Sequence, residues 1–379
     1  MLSLPMPEMG KSLWHFPSNG ENKTSAITNT VHGKEFVGLA SARLCSALRA
    51  QRPMNRHFSR REFLQVSSAT AMASAAGLST WPTEVAPTGV RGPFRGTLCL
   101  FSKAVPQLSW HELAQSAKQA GFGGIDLTVR SEGHVLPERA ATDLPKAVEA
   151  IRAEGLEVPM ITTELLRADD PTAIPIFQTA GRLSIPFLKP GYYHYKFVNV
   201  LQEFNEAGRQ FRGLVGLAGK YNVQVGYHNH PNYIGASIWD MASVIEALDP
   251  RWCGYYFDLG HICVDSGEDE WKIATNLVIP RLKMIAVKDR TWKEGGPRRW
   301  EPAACPLGQG MAPWKEFLHI LGQTNFHGPV TLHEEFAIPG VADREGIALS
   351  REAIPQVMSA AKQNLDYLKS LLREAYEGA

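Results

Sequence analysis

The stretch WHELAQSAKQAGFGGIDLTV, residues 110–129, changes its period half-way. Apolar residues in WHELAQSAKQAG (110–121) recur at helical spacing, and the run closes on Gly121, a residue suited to the left-handed C-cap of a helix. GGIDLTV (123–129) is a short, mostly apolar run bounded by glycine and reads as a strand. The same rhythm recurs along the chain. Seven further strands are expected at TLCLFS (97–102), LEVPMIT (156–162), FLKPGYY (187–193), VQVGYHN (223–229), GYYFDL (254–259), KMIAVKD (283–289) and GPVTLHEE (328–335). Helical stretches separate them, such as APWKEFLHILGQ (312–323), and SREAIPQVMSAAKQNLDYLKSLLREAYEG (350–378) closes the chain with an amphipathic helix. Eight βα units in roughly 280 residues is the size of one barrel. The expected fold is therefore α/β, a single-domain (β/α)8 TIM barrel over residues 96–379. A doubly wound open sheet is the alternative, but no G-x-G-x-x-G follows the first strand to support it.

Composition narrows the function. The formal charge is +1, and Lys and Arg are dispersed along the chain. No electrostatic reason exists to expect binding to nucleic acid or to an anionic membrane, so a neutral or weakly charged small ligand fits better. The five cysteines, Cys45, Cys99, Cys253, Cys263 and Cys305, have neither C-x-x-C spacing nor the density of a disulfide scaffold.

Upstream of the barrel, Ser59-Arg60-Arg61-Glu62-Phe63-Leu64 is followed by Val66 and the small-residue run SSATAMASAAGLS. This resembles a twin-arginine export signal, with small residues at offsets suited to cleavage near Ala73 to Ala76. Its apolar stretch is too short for a membrane anchor, which needs about 20 apolar residues. Read from Met54, the segment MNRHFSRREFLQ is a normal signal n-region. Residues 1–53 are then an upstream or disordered extension, 54–80 the signal and 81–95 a linker. The expected location is periplasmic or secreted, with the twin-arginine machinery as a partner.

If a barrel forms, chemistry belongs at the C-terminal ends of its strands. Polar residues collect there: Glu164, Lys189 with His194, His228 with His230, Asp258 with His261, Lys288 with Asp289, and His333, Glu334 and Glu335. Alternate residues of a strand share a face, so His228 and His230 point one way, as do His333 and Glu335, while Glu334 faces the other. Imidazoles and carboxylates converging from several strands suit Zn, Mn, Co or Fe, whereas carboxylates alone would favour Mg.

AGFGGIDL, YYFDLGH, AVKD, PLGQGMAPWKEFL and GPVTLHEEF, in this order and spacing, resemble the sugar phosphate isomerase/epimerase family of xylose isomerase-like TIM barrels. The resemblance spans roughly Gly96 to Tyr367. It implies a divalent ion held by Glu, Asp, His and Glu at the ends of strands five to eight. Asp258 matches the second ligand, and His261 matches a histidine that often faces the substrate. His228 stands where the family commonly has Glu, and Ala286 or Lys288 stands where it has His. The last ligand position falls to His333, Glu334 or Glu335.

The expected site thus has His228, Asp258 and His333 as metal ligands and His261, Lys288 and Glu335 as groups that move protons or stabilise an enolate. Glu164, Lys189 and His230 would bind substrate. The implied function is a metal-dependent sugar isomerase or epimerase that abstracts a proton next to a carbonyl of a small carbohydrate. Two alternatives stay open: a lyase eliminating a substituent from a 3-keto-glycoside, and a non-catalytic sugar-binding barrel. A nuclease related to endonuclease IV would need a fuller His and carboxylate set and a basic surface. Homo-oligomerisation stays open as well.

Overall fold

In the structure, a computed structural model, eight parallel strands close on themselves. Residues 92–266, 269–339, 341 and 350–378 are described, so the expectations for the extension, signal and linker fall outside the described residues apart from residues 92–95. The barrel strands are β1 (Leu98–Phe101), β2 (Gly124–Val129), β3 (Glu157–Thr163), β4 (Phe187–Lys189), β5 (Gln224–His228), β6 (Cys253–Asp258), β7 (Leu282–Val287) and β10 (Val330–Leu332). β10 lies between β7 and β1 and completes the ring. β8 (Asp289–Gly296) and β9 (Arg299–Cys305) form a separate antiparallel hairpin.

The helices are α1 (Trp110–Ala120), α2 (Ala140–Ala153), α3 (Ala173–Arg182), α4 (Val200–Tyr221), α5 (Trp239–Ile245), α6 (Leu259–Asp265), α7 (Glu270–Val278), α8 (Trp314–Thr324) and α9 (Ile354–Glu377). α1 forms where the sequence places it. Ser109 accepts from the Glu112 N–H and Glu112 reaches back to the Ser109 N–H, a capping box, while Gly121 takes the left-handed conformation at φ 92°.

Strand alternation builds two cores. Outward residues such as Leu127, Ile161, Tyr227, Tyr255, Phe257 and Ile285 pack under the helices in the main cluster. Inward residues Met160, Tyr256, Met284 and Ala286, with Phe187, fill the barrel itself. Above this plug the inward positions turn polar, and that change of side chain marks the site.

Two sequence expectations shift. β4 stops at Lys189 rather than Tyr193, because Pro190 has no N–H to extend a ladder and Gly191 N–H instead donates to Leu165 O at 2.8 Å. The β8–β9 hairpin was not anticipated, since residues 289–305 alternate towards no core and leave Trp292 and Trp300 exposed.

Asp289, 1% exposed, ties the following loop down. Its Oδ2 accepts from Gly308 N (2.9 Å) and Gly310 N (3.1 Å), and its Oδ1 accepts from Arg290 N (2.9 Å) and Ala312 N (3.2 Å). A Cβ on Gly310 would stand 2.1 Å from Asp289 Oδ1, which is why the PLGQG turn needs glycine there. Asp289→Ala should therefore cost about 2 kcal/mol, since four part-buried N–H groups lose a charged acceptor. Urea unfolding measures the loss, and limited proteolysis should cut residues 305–313 first.

Candidate active site

Asp258 is the last residue of β6 and sits at the centre of the polar layer, fully buried. Its Oδ1 accepts from His261 N at 3.0 Å and so caps α6. Its Oδ2 meets three side chains: His228 Nε2 at 3.1 Å, His261 Nε2 at 3.4 Å and Lys288 Nζ at 3.1 Å. The backbone is clamped too. Asp258 N–H donates to Asn229 Oδ1 (2.8 Å), and Asn229 Nδ2 donates back to Asp258 O (2.9 Å). The middle residue of HNH thus positions the carboxylate that the flanking histidine contacts.

His228 ends β5 opposite Tyr256 in the β5–β6 register. Its Nδ1 is hydrogen-bonded to the Tyr192 hydroxyl at 2.8 Å, which orients Nε2 towards Asp258. Neither ring nitrogen of His261 makes a hydrogen bond, though the ring is fully buried. Ligand atoms of His228, Asp258 and His261 lie within 4.8 Å of one another. Two imidazoles and a carboxylate, one imidazole oriented by an outer hydroxyl and the other making no hydrogen bond, fit a divalent ion. Burial, reinforced by Lys288, pushes both imidazoles well below their ordinary pKa and keeps them neutral, the form that ligates metal.

His333, expected among the ligands, stands outside this cluster. Its Nε2 is 3.0 Å from the Tyr256 hydroxyl, and its Nδ1, buried without a hydrogen bond, is 3.9 Å from Glu335 Oε1. His261, expected to move a proton, takes the third place instead, because α6 begins immediately after Asp258 and turns the ring back over the carboxylate. Lys288 Nζ bridges Asp258 and Glu335 Oε2 at 3.0 Å, and Lys103 reaches Glu335 Oε1 at 3.5 Å. Burial alone would raise the Glu335 carboxyl, but the Lys288 ammonium, with Lys103 adding to it, holds it well below the usual range. Glu334 faces outward as alternation requires and accepts from Asn364 Nδ2 at 2.9 Å.

His230 lies just past the end of β5, its ring 4.4 Å from that of His261 and 4.7 Å from that of Tyr192. Burial, with Lys288 adding to it, pushes His230 down to about 4. Lys189 is buried with Nζ 3.3 Å from the centre of the Tyr192 ring. Glu164 is exposed and accepts from Ser131 N (2.8 Å) and Ser131 Oγ (2.6 Å), tying the β2 and β3 ends together.

Sequence reasoning missed Tyr192, Asn229, Tyr256 and Asp126. The last two share one signal, a polar group at an inward position of an otherwise apolar strand. Asp126, fully buried on β2, accepts from Thr162 Oγ1 (2.8 Å) and from the Tyr256 hydroxyl (3.3 Å). Burial pushes its carboxyl up to about 7, against those hydrogen bonds. The unfolded chain releases this proton near the ordinary value of roughly 4, so the folded protein binds the extra proton between about 4 and 7. Stability from this group is full below that window and falls as pH rises through it, by about 4 kcal/mol in all. Asp126→Asn should flatten the decline: urea midpoints of the variant should gain on the wild type from pH 4 to pH 8 (the span of roughly 4 to 7 set by the two pKa values, plus about one unit).

A family model described as a xylose isomerase-like TIM barrel matches residues 114–369. No curated protein matches the chain. Solved structures resemble it in fold. A xylose isomerase-like TIM barrel protein from Mycobacterium smegmatis, in complex with magnesium, is 14% identical with a TM-score of 0.56, covering 74% of this chain and 98% of that one. The 3-keto-D-glucoside 4-epimerase of E. coli is 12% identical with a TM-score of 0.52, covering 73% and 99%. D-allulose 3-epimerase from a Methylomonas species, in complex with D-allulose, is 14% identical with a TM-score of 0.51, covering 74% and 99%.

Proposed function

This chain belongs to the xylose isomerase-like TIM barrel family, and from that premise we propose that it is a metal-dependent carbohydrate isomerase or epimerase that moves a proton next to a carbonyl. The observation that carries the reading is the buried His228, Asp258 and His261 cluster, set beside Lys288, Glu335 and His333 where the strands end. The magnesium, 3-keto-glucoside and D-allulose named for the fold relatives support this class of ligand. His228, Asp258 and His261 would hold the ion, which when bound supplies Lewis-acid polarisation of neighbouring substrate oxygens.

The chain's own residues do the rest. Glu335, with about a quarter of its side chain exposed, is the ionised carboxylate that can reach a ligand entering the mouth. The imidazole of His333 is kept neutral by burial, with Lys288 adding to it, and offers a nitrogen that can accept a proton. Lys288 places Nζ where negative charge on a substrate oxygen would develop beside Asp258. His230, Lys189 and Tyr192 orient the sugar, and the buried floor of Tyr256 and Met284 keeps water out from below. Elimination from a 3-keto-glycoside uses the same enolate, and the bridging Lys288 serves that exit equally well.

Metal analysis and deuterium incorporation test the reading together. The purified protein should hold near-stoichiometric metal that is lost in Asp258→Ala and His228→Ala, and should exchange the α-proton of a keto-sugar with deuterated water. Glu335→Gln should slow that exchange by roughly 10²–10⁴-fold. A wild type that neither holds nor takes up metal sinks the mechanism, and a protein that retains sugar without exchange is a binder. For location, we propose twin-arginine export: a chain begun at Met54 should reach the periplasm of a bacterial host, and its Arg60→Lys/Arg61→Lys variant should stay in the cytoplasm.

A further inference from the structure

Three side chains from three strands form a chain of hydrogen bonds beneath the cluster. Asp126 on β2 faces the Tyr256 hydroxyl on β6 at 3.3 Å, and that hydroxyl faces His333 Nε2, just beyond β10, at 3.0 Å. All three are buried, with exposures of 0%, 1% and 5%. The His333 ring is also held in plane, stacked on Phe101 with centroids 4.4 Å apart and 23° between planes. Its other nitrogen, Nδ1, is buried without a hydrogen bond and points to the Glu335 side, 3.9 Å from Oε1.

We propose that Asp126, acting through the Tyr256 hydroxyl, fixes the tautomer of His333, so that an unprotonated Nδ1 faces the site and an accepted proton can be handed inward to the Asp126 carboxylate. Once ionised, the Asp126 carboxylate only accepts, so the single Tyr256 hydrogen points to it and the tyrosine oxygen is left to accept. His333 must then donate from Nε2. A neutral imidazole has one N–H, so Nδ1 carries the lone pair.

Proton transfer follows the same line. As a substrate C–H bond breaks, its electron pair stays on the substrate as an enolate and the proton bonds to Nδ1. The Nε2 hydrogen passes to the tyrosine oxygen, and the tyrosine hydrogen passes to Asp126. The imidazole ends neutral with its hydrogen on Nδ1, and Asp126 ends as a carboxylic acid. Reversal returns the proton. Burial, which raises the Asp126 carboxyl to about 7, makes it a suitable store near neutral pH. Asp126 and Tyr256 are positioning residues here, since of the three only His333 meets the reacting atoms.

The base role rests on the proposed function, but the tautomer belongs to the resting protein and can be read without substrate. Nitrogen NMR of protein carrying 15N-histidine, with His333 assigned by His333→Gln, reports each ring nitrogen as protonated or not. At alkaline pH, where Asp126 is ionised, Nδ1 of the wild type should fall in the unprotonated range and Nε2 in the protonated range. Asp126→Leu removes the acceptor that holds the Tyr256 hydrogen and leaves it to Nε2 or to the neighbouring Thr331 hydroxyl, so the fixed assignment should be lost and the two nitrogens should move towards averaged shifts. Adding Tyr256→Phe should abolish the dependence on residue 126. Should Asp126→Leu fail to fold, Tyr256→Phe alone should move both nitrogens towards averaged shifts. A wild type protonated at Nδ1, or a tautomer indifferent to both substitutions, overturns the proposal. A correct tautomer in a protein that exchanges no sugar proton would leave the relay standing and refute the proposed function instead.

Discussion

One oxygen atom, Oδ2 of Asp258, organises the polar end of this barrel. His228, His261 and Lys288 arrive at it from β5, α6 and the end of β7. The other oxygen of the same carboxylate caps α6, and Asn229 holds the backbone on either side of the peptide. A buried carboxylate is tolerable only with such a set of partners, because desolvation without compensation costs several kcal/mol. Removing any one partner leaves the remainder unbalanced. The geometry at this atom is therefore what the loops and strand ends around it are built to preserve.

Charge around that oxygen is arranged in pairs. Lys288 bridges Asp258 and Glu335, Lys103 supports Glu335 from the rim, and the four imidazoles of His228, His230, His261 and His333 are driven to their neutral form by burial. Neutral imidazoles are donors to metal and acceptors of protons, so a single physical cause would suit the site to both tasks of the proposed function. With His228 at β5 in place of the glutamate that the family resemblance implies, the set carries one negative charge fewer. An ion held there would be less neutralised by its ligands and so a stronger Lewis acid. Lys288 adds positive charge beside the same set.

Below the cluster, the barrel interior separates chemistry from packing. Met160, Met284 and Ala286 are apolar, but Tyr256 on the same layer carries a hydroxyl that reaches both Asp126 and His333. A tyrosine is suited to this place because its ring fills the barrel while its oxygen both donates and accepts. The Asp289 carboxylate does comparable work outside, gathering the N–H groups of Gly308, Gly310 and Ala312 so that the loop after β9 lies down and leads into α8.

The order of elements was legible in the sequence because it depends on local period. Switches between helical and strand spacing marked all eight barrel strands and the helical stretches at 110–121, 312–323 and 350–378, and alternation alone turned Glu334 outward to Asn364. Asp258, His228 and Lys288 were also legible, each a polar residue at the end of an apolar run. What the sequence could not assign was partnership. Whether His261 or His333 joins Asp258 depends on how sharply α6 turns back over the strand and on which ring Tyr256 reaches, and both are set by contacts between residues far apart in the chain. Asp126 and Tyr256 looked like ordinary members of their strands for the same reason: closing the barrel brings β2, β6 and β10 within hydrogen-bond reach, and only that closure makes three distant residues into one chain.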